Sequence, residues 1–461
     1  MLREAMKHLC RSQRIRFAMA IAAITVPLHF FYLSEPRSVV FDEVWFGDFV
    51  NAYTGSHAYF FDVHPPHGKL LVAGAAALGG YHGDQDFAAI HTPITKVDPA
   101  LLRCLPAVAG ALVPLIVFGL LIQLGASDWG ALVGALAIAL DNALLIQTRI
   151  LALDGVLLAA TLGALSAYLA ALGARSPVGR RAWTLVAGAL VGLAVGTKFT
   201  GLSALALVGV CGIAAWLRDR RASVLRVLTC DAITVTAAGL AVYAAGWWLH
   251  FALLTEPGPG DRWGAPTGHW VADTLAVHAR MWSANTGLAK GHLYGSPWWS
   301  WPLMLRAVSY WSGDGSDLFF LGNPVVWWGS AVGMVVVLAS LPLRALTAPA
   351  PGEPLRAWSA QLWIPVAGWA ICYAPLVRVS RVLFLYHYLT PLAFSVIAVA
   401  LWLDHSGWWT QPGGWRAQRA SVWLTLAALV LGFALISPFT LSYVKAPDYQ
   451  RAIYTALPGW R

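Results

Sequence analysis

Charge is what this chain has least of: Asp, Glu, Lys and Arg make up 11% of its 461 residues, 58% are hydrophobic, and the mean hydropathy is +0.62. A soluble globular domain carries about a quarter of its residues charged, so that class is excluded and the solvent is mostly lipid. Cysteine is thin as well. Cys10, Cys104, Cys211, Cys230 and Cys372 lie mostly in or beside apolar runs with no CxxC pair, which reads as packing, with a disulfide outside the membrane left open. No glycine-rich phosphate loop follows a strand, so a nucleotide has no visible site. Repeats of fixed period, low-complexity tails and a soluble domain large enough to fold alone are also missing. The net charge of +9 is split among short loops without a basic stripe, which argues against nucleic-acid binding.

In place of these the chain has apolar runs near the roughly 20 residues that cross a bilayer, about eleven of them, from residues 17–33 to residues 422–441. This predicts one all-α polytopic membrane domain over residues 1–461. The first run follows Arg3, Lys7, Arg11, Arg14 and Arg16, and no small-residue cleavage site precedes Glu35, so it reads as a retained anchor with a cytoplasmic N-terminus. Alternation then puts the basic loops Arg175-Ser176-Pro177-Val178-Gly179-Arg180-Arg181 and Arg218-Asp219-Arg220-Arg221 inside. Two long polar segments, residues 34–100 and 255–320, fall outside together with the C-terminal tail. Within the first, residues 68–78 are apolar but too short to span, and are expected along the membrane surface. The second is rich in Trp, of which the chain has 24; interfacial anchoring explains most of them, and stacking on a sugar or polyprenyl chain is the other use of such rings. The Pro-rich residues 348–354 read as a short cytoplasmic linker.

Candidate chemistry gathers on the outer side. Asp42-Glu43 stands just past the first apolar run, near headgroup level, where desolvation raises a carboxylate pKa and makes a base. Phe60-Phe61-Asp62-Val63-His64-Pro65-Pro66-His67-Gly68-Lys69 compresses a carboxylate, two imidazoles, a rigid turn and a cation into one short stretch. A helix-initiating turn is the bland reading of the same residues. Asp62, His64 and His67 are residue types that hold divalent ions, but the spacing is weak evidence for a metal. Asp84-Gln85-Asp86 imitates the metal-binding element of soluble glycosyltransferases without their nucleotide domain. Arg149, Lys198, Arg378 and Arg381 sit at predicted membrane boundaries, where a lipid phosphate would reward a cation and where snorkelling is the alternative.

Taken together these residues resemble the protein O-mannosyltransferase family, membrane glycosyltransferases of the GT-C class. The resemblance rests on Asp42-Glu43, the run from Phe60 to Lys69, Arg149 with Leu153-Asp154, and Gly192 through Lys198 to Gly201. It continues through His292-x-Tyr294-x-Ser296-x-Trp298-Trp299-Ser300-Trp301-Pro302 with Arg306, Gly322-Asn323-Pro324-Val325-Val326-Trp327-Trp328, and Tyr386-His387-Tyr388-Leu389-x-Pro391. His67 stands where the family usually has an apolar residue and Phe199 where Trp is common. The β-trefoil MIR domain of eukaryotic members is absent, which implies a bacterial-type enzyme of the inner membrane.

Membership implies a GT-C fold and a polyprenyl- or dolichyl-phosphate mannose donor. The acceptor would be a Ser or Thr hydroxyl on a translocated protein, possibly met at the secretion machinery, and transfer would invert the anomeric carbon. It also implies roles: Asp42 as base and Glu43 orienting the acceptor, with the division between the two open, and Arg149, Lys198, Arg378 and Arg381 around the donor phosphate. Asp62, His64, Lys69, Asp154, His292, Tyr294, His387 and Tyr388 would contact substrate. His67 would touch the acceptor or cap the surface helix. No cofactor is expected, because a phosphate leaving group can be neutralised by cations in place of a metal. The alternatives are a related transferase moving a lipid-linked sugar onto a lipid, whose loop more often reads Lys-Pro-Pro, and a transporter, for which inverted repeats are missing.

Overall fold

The computed structural model describes residues 2–460 apart from 219–220, 288–290, 314, 347–354, 380, 410–414, 446–447, 449–450, 453 and 455–456. The linker expected at 348–354 and Asp219 and Arg220 of the second basic loop lie outside the described residues.

Side-chain caps decide where many helices begin. After α1 (Leu2–Phe30), the first polar segment holds α2 (Glu43–Asn51) and α3 (His67–Leu78). Asp98 opens α4 (Pro99–Gln123) by accepting the Ala100 amide at 3.0 Å, with Pro99 in the first turn, where a missing N–H leaves nothing unpaired. Ser127 caps α5 (Asp128–Ala139) and Asp141 caps α6 (Asn142–Thr148) in the same way. Beyond α7 (Asp154–Gly173), Ser176 in the first basic loop caps α8 (Pro177–Thr197). Then come α9 (Leu202–Arg218), α10 (Ala222–Leu253) and α11 (Trp270–Gly287). An antiparallel hairpin, β1 (Val308–Gly313) and β2 (Ser316–Phe320), is bulged between Ser309 and Trp311 and interrupts the helical pattern. The chain ends with α12 (Pro324–Leu346), α13 (Leu355–Tyr373), α14 (Leu389–His405) and α15 (Trp415–Ile436).

Among the described residues eight helices are long and apolar enough to cross a membrane, and α5 with α6, bent by 59°, brings the number to nine when the pair is counted as one broken span. The difference from the expected number is α1 and α13, which pack on α4 and α14 but do not meet that test of length and hydropathy. Burial sorts the bundle: 72% of the apolar window of α14 is covered by protein but only 22% of that of α10, so α14 is central and α10 faces lipid. Where α8 meets α10, Gly188 and Gly192 lie against Val235 and Gly239 so closely that a Cβ would strike backbone carbonyl oxygens. Such small residues let two backbones approach in a membrane.

The two long polar segments meet at one end of the bundle. Phe41 N donates to Tyr310 O at 3.1 Å, Trp311 Nε1 to Ser38 Oγ at 3.0 Å, and Tyr59 N to Glu256 O at 2.9 Å. α3 lies there too, with Val72, Ala73 and Ala76 buried and Leu71 and Leu78 exposed, as a surface helix requires. At the start of α5, Arg14 pairs with Asp128 at 2.8 Å and the Ser127 amide meets Asp404 at 2.7 Å.

Candidate active site

Glu43, in the first turn of α2, is 1% exposed and has both carboxylate oxygens committed. Arg103 of α4 reaches it with two bonds, Nε to Oε1 at 2.8 Å and Nη2 to Oε2 at 2.9 Å. The Val40 amide adds a third at 2.9 Å and the Leu151 amide a fourth at 3.0 Å. Arg103 spends its remaining donors on the carbonyls of Leu33, Pro36 and Ser38. A paired, fully hydrogen-bonded charge is the form in which a carboxylate survives burial. This pair fastens the first polar segment to α4 and to the 149–153 turn, and leaves Glu43 no lone pair turned toward an acceptor.

Asp42 is the opposite case. Its carboxylate accepts no hydrogen bond among the described residues, although its backbone carbonyl starts α2. The preceding Phe41 has φ of +44°, the left-handed region that a bulky residue seldom adopts, and its ring stacks on Tyr310 with centroids 4.2 Å apart. Tyr310 therefore grips Phe41 by ring and backbone and fixes the turn that presents Asp42. Burial pushes the Asp42 pKa up to about 7; Lys198 pulls it down, and Asp154 and Asp62 raise it further.

Around it a polar chain crosses three helices and the hairpin. Lys198, at the end of α8, donates to Asp154 Oδ1 at 2.8 Å, Gln147 Nε2 donates to Asp154 Oδ2 at 2.8 Å, and the Tyr310 hydroxyl donates to Gln147 Oε1. Lys69 of α3 pairs with Asp62 and donates to His64 O at 2.7 Å, with its ammonium 5.2 Å and 5.7 Å from the Phe49 and Phe60 centroids. The His64 imidazole has no hydrogen-bond partner among the described residues. Burial first, then Lys198, Lys69 and Arg381, hold its pKa well below the usual histidine value, so it is neutral. Arg381 has no hydrogen-bond partner among the described residues either, and burial lowers its pKa while Tyr386 and Asp62 raise it. His387 stacks between Tyr386 and Trp301, with its Nδ1 against Phe384.

The remaining expected residues stand elsewhere. Arg149 turns Nη1 to the carbonyls of Leu28 and His29 and Nη2 to those of Phe31 and Tyr32, at 2.6 to 3.2 Å, so it caps the end of α1 instead of reaching a phosphate. Arg378 is exposed. His292 is exposed too, with Nδ1 accepting the Tyr294 amide at 3.2 Å, and its ring meets both Tyr294 and Phe384. Tyr388 is 1% exposed in the core, where its hydroxyl accepts from Trp369 Nε1 at 3.2 Å. His67 neither caps α3 nor opens to the site: its ring is wedged between Gly196 and Gly246, stacked on Tyr243, with Nε2 at Val242 O. Gln85 ties its loop with four hydrogen bonds and Asp86 takes the Ala88 amide, so these two residues of the Asp84-Gln85-Asp86 triplet are scaffolding. No group of three or more His, Cys, Asp or Glu among the described residues is placed to hold a metal. Arg103, Gln147 and Tyr310 were missed as site residues. Arg103 had a signal, a lone cation inside an apolar run.

An unpaired carboxylate poised near neutrality beside the Lys198 ammonium can accept a proton while negative charge develops on a neighbouring group. Residues 19–255 match the family described as dolichyl-phosphate-mannose-protein mannosyltransferase, and residues 270–454 match the C-terminal four-helix region of protein-O-mannosyltransferase. Protein O-mannosyltransferase 1 of Drosophila melanogaster is 32% identical over 260 residues, covering 53% of this chain and 28% of the relative. Dolichyl-phosphate-mannose–protein mannosyltransferase 1 of Saccharomyces cerevisiae is 31% identical over 256 residues, covering 53% and 31%. The matched stretch thus spans less than a third of these relatives' length. Among solved structures, the S. cerevisiae Pmt1-Pmt2 complex bound to the sugar donor superposes with a TM-score of 0.85 at 20% identity, covering 93% of this chain and 90% of that one. An Archaeoglobus fulgidus oligosaccharyltransferase carrying a tethered acceptor peptide gives 0.55 at 15% identity, covering 96% and 56%.

Proposed function

The chain belongs to the protein O-mannosyltransferase family, and we propose that it transfers mannose, with inversion, from a polyprenyl-phosphate donor to Ser or Thr hydroxyls of translocated polypeptides. Its fold is the GT-C membrane glycosyltransferase fold and it is an integral membrane protein. The proposed setting is a bacterial inner membrane with the site facing outward, where emerging polypeptides from the secretion machinery would meet it.

The observation that carries this reading is the Asp42 carboxylate, without a hydrogen-bond partner among the described residues, beside Lys198, with Arg381 near Tyr386 in the same cluster. In the proposed step Asp42 takes the proton of the acceptor hydroxyl as its oxygen bonds to the anomeric carbon. The bond from that carbon to the phosphate oxygen breaks on the opposite face, and the electron pair leaves with the phosphate. Arg381, which has no hydrogen-bond partner among the described residues, and Lys198, held by Asp154, neutralise the charge the phosphate gains. Asp62 and Lys69 shape the loop, and the neutral His64 offers a hydrogen bond to sugar or acceptor. Arg103 and Glu43 act as positioning residues that hold the backbone on which Asp42 sits.

Purified protein given labelled polyprenyl-phosphate mannose, a Ser/Thr peptide and a lipid acceptor should label the peptide with inverted stereochemistry. Label on the lipid alone would move the chain to the lipid-modifying branch. Transfer should persist in chelator; loss restored only by a divalent ion would overturn the cation-based mechanism.

A further inference from the structure

β1 carries one residue more than β2 can pair. Ser309 stands opposite Phe319 and Trp311 opposite Leu318, so Tyr310 between them has no cross-strand partner and is the extra residue of the bulge. A bulge turns a side chain off the alternation of a regular strand, and here Tyr310 and Trp311 are buried in succession. Outside the ladder, Tyr310 acts in two directions. Its carbonyl and ring hold Phe41, the residue before Asp42, while its hydroxyl donates to Gln147 Oε1. Gln147 is 2% exposed and passes the bond on: Nε2 donates to Asp154 Oδ2 at 2.8 Å, and Asp154 Oδ1 accepts from Lys198 Nζ at 2.8 Å. One hydrogen-bonded line therefore runs from the hairpin through α6 and the start of α7 to the end of α8.

This line has a direction. A carboxylate paired with an ammonium accepts and does not donate, so Asp154 needs the amide nitrogen of Gln147 turned toward it, which leaves the amide oxygen facing Tyr310 and in need of a donor. The phenol is that donor. Without it a buried carbonyl oxygen is left unpaired, and the cost is relieved when Gln147 swings away from Asp154. The Asp154 carboxylate then turns about its last torsion, which has a broad energy well, and takes Lys198 with it. Lysine is the cation most in need of such a tether, because its charge is a point at the end of a flexible four-carbon stem. On its other side the Lys198 ammonium lies 5.9 Å from the centroid of the Tyr386 ring, so tether and ring together define one place for it.

We propose that Tyr310 and Gln147 are positioning residues that act through Asp154 to fix the Lys198 ammonium for the donor phosphate, so that the hairpin which presents the base also sets a cation that meets the leaving group. This rests on the reading that the donor is a polyprenyl-phosphate sugar. Tyr310→Phe removes the hydroxyl but keeps the ring on Phe41 and the backbone bond, and Gln147→Met removes both ends of the link at similar volume. Binding of polyprenyl phosphate without sugar to the full purified chain, followed by calorimetry, should weaken about tenfold in each variant. The double variant should bind no worse than Gln147→Met alone, because both changes cut one line, whereas independent contributions would multiply to about a hundredfold. In transfer assays the donor KM should rise with the acceptor KM unchanged. A lowered melting temperature with polyprenyl phosphate binding at the parent's level would mark a merely structural role and overturn the proposal. So would a fully multiplied loss in the double variant, or a rise in the acceptor KM alone. If Gln147→Met unfolds, Tyr310→Phe decides. A parent chain that binds polyprenyl phosphate with this pattern among its variants, yet transfers no mannose, defeats the proposed function and leaves the positioning role standing. One that binds none overturns both.

Discussion

Asp42 is held where an acid is least comfortable, and that discomfort is measurable. Its folded pKa, about 7, lies above the ordinary 3.8, so the folded chain binds the extra proton between those values and stability falls as pH rises through that window. Asp42→Asn removes the penalty: its melting temperature should exceed the parent's at pH 8 and equal it near pH 4. Turnover should fall roughly 10²–10⁴-fold in that variant with donor binding intact, and normal turnover would remove Asp42 from the role. In the parent, rate should climb about tenfold per pH unit below pH 7 and level off above it. Two arginines that read alike in sequence should separate. Arg149→Gln should cost about 1–3 kcal/mol of stability with the donor KM unchanged, because the end of α1 loses its donors. Arg381→Gln should raise the donor KM about tenfold with stability unchanged. Both reside at a boundary, and a helix C-terminus attracts a guanidinium as a phosphate does, so sequence alone cannot sort them. Glu43 was visible as one of a conspicuous pair; its partner sits sixty positions on and nothing local announces it.

At the level of elements, the apolar runs were legible by length and composition alone, while Asp98, Ser127, Asp141 and Ser176 set where four helices begin through local chemistry that the runs do not show. The β1–β2 hairpin was not, since Trp-rich residues outside a membrane read equally well as an interfacial loop, yet it supplies Tyr310 to the turn before Asp42. His67 shows the other limit: an imidazole immediately after the Pro-Pro turn looks functional until its neighbours prove to be Gly196 and Gly246. Gly246→Ala would drive a methyl into that ring. We expect it to lower stability by about 1–3 kcal/mol in thermal unfolding, and His67→Ala in the same chain to recover much of the loss.

For the whole molecule, the long-range likeness was the most legible feature, because motifs scattered from Asp42 to Tyr388 fix one three-dimensional arrangement only when read together. The sidedness argument rests on charge placement alone and can be checked. Single cysteines at exposed Thr267 and Trp299 should react with an impermeant thiol reagent added outside intact cells, while one at exposed Val178 should react only after permeabilisation. The reverse labelling would invert the topology. The Arg103 and Arg149 clamps also impose an order of events on biosynthesis. A ribosome delivers Glu43 sixty residues before Arg103 and the end of α1 about 120 residues before Arg149, so the first loop must wait, partly unsealed, until α4 to α6 have entered the bilayer. Nascent chains stalled before that point would show the loop open to protease, and those stalled after it would show it closed.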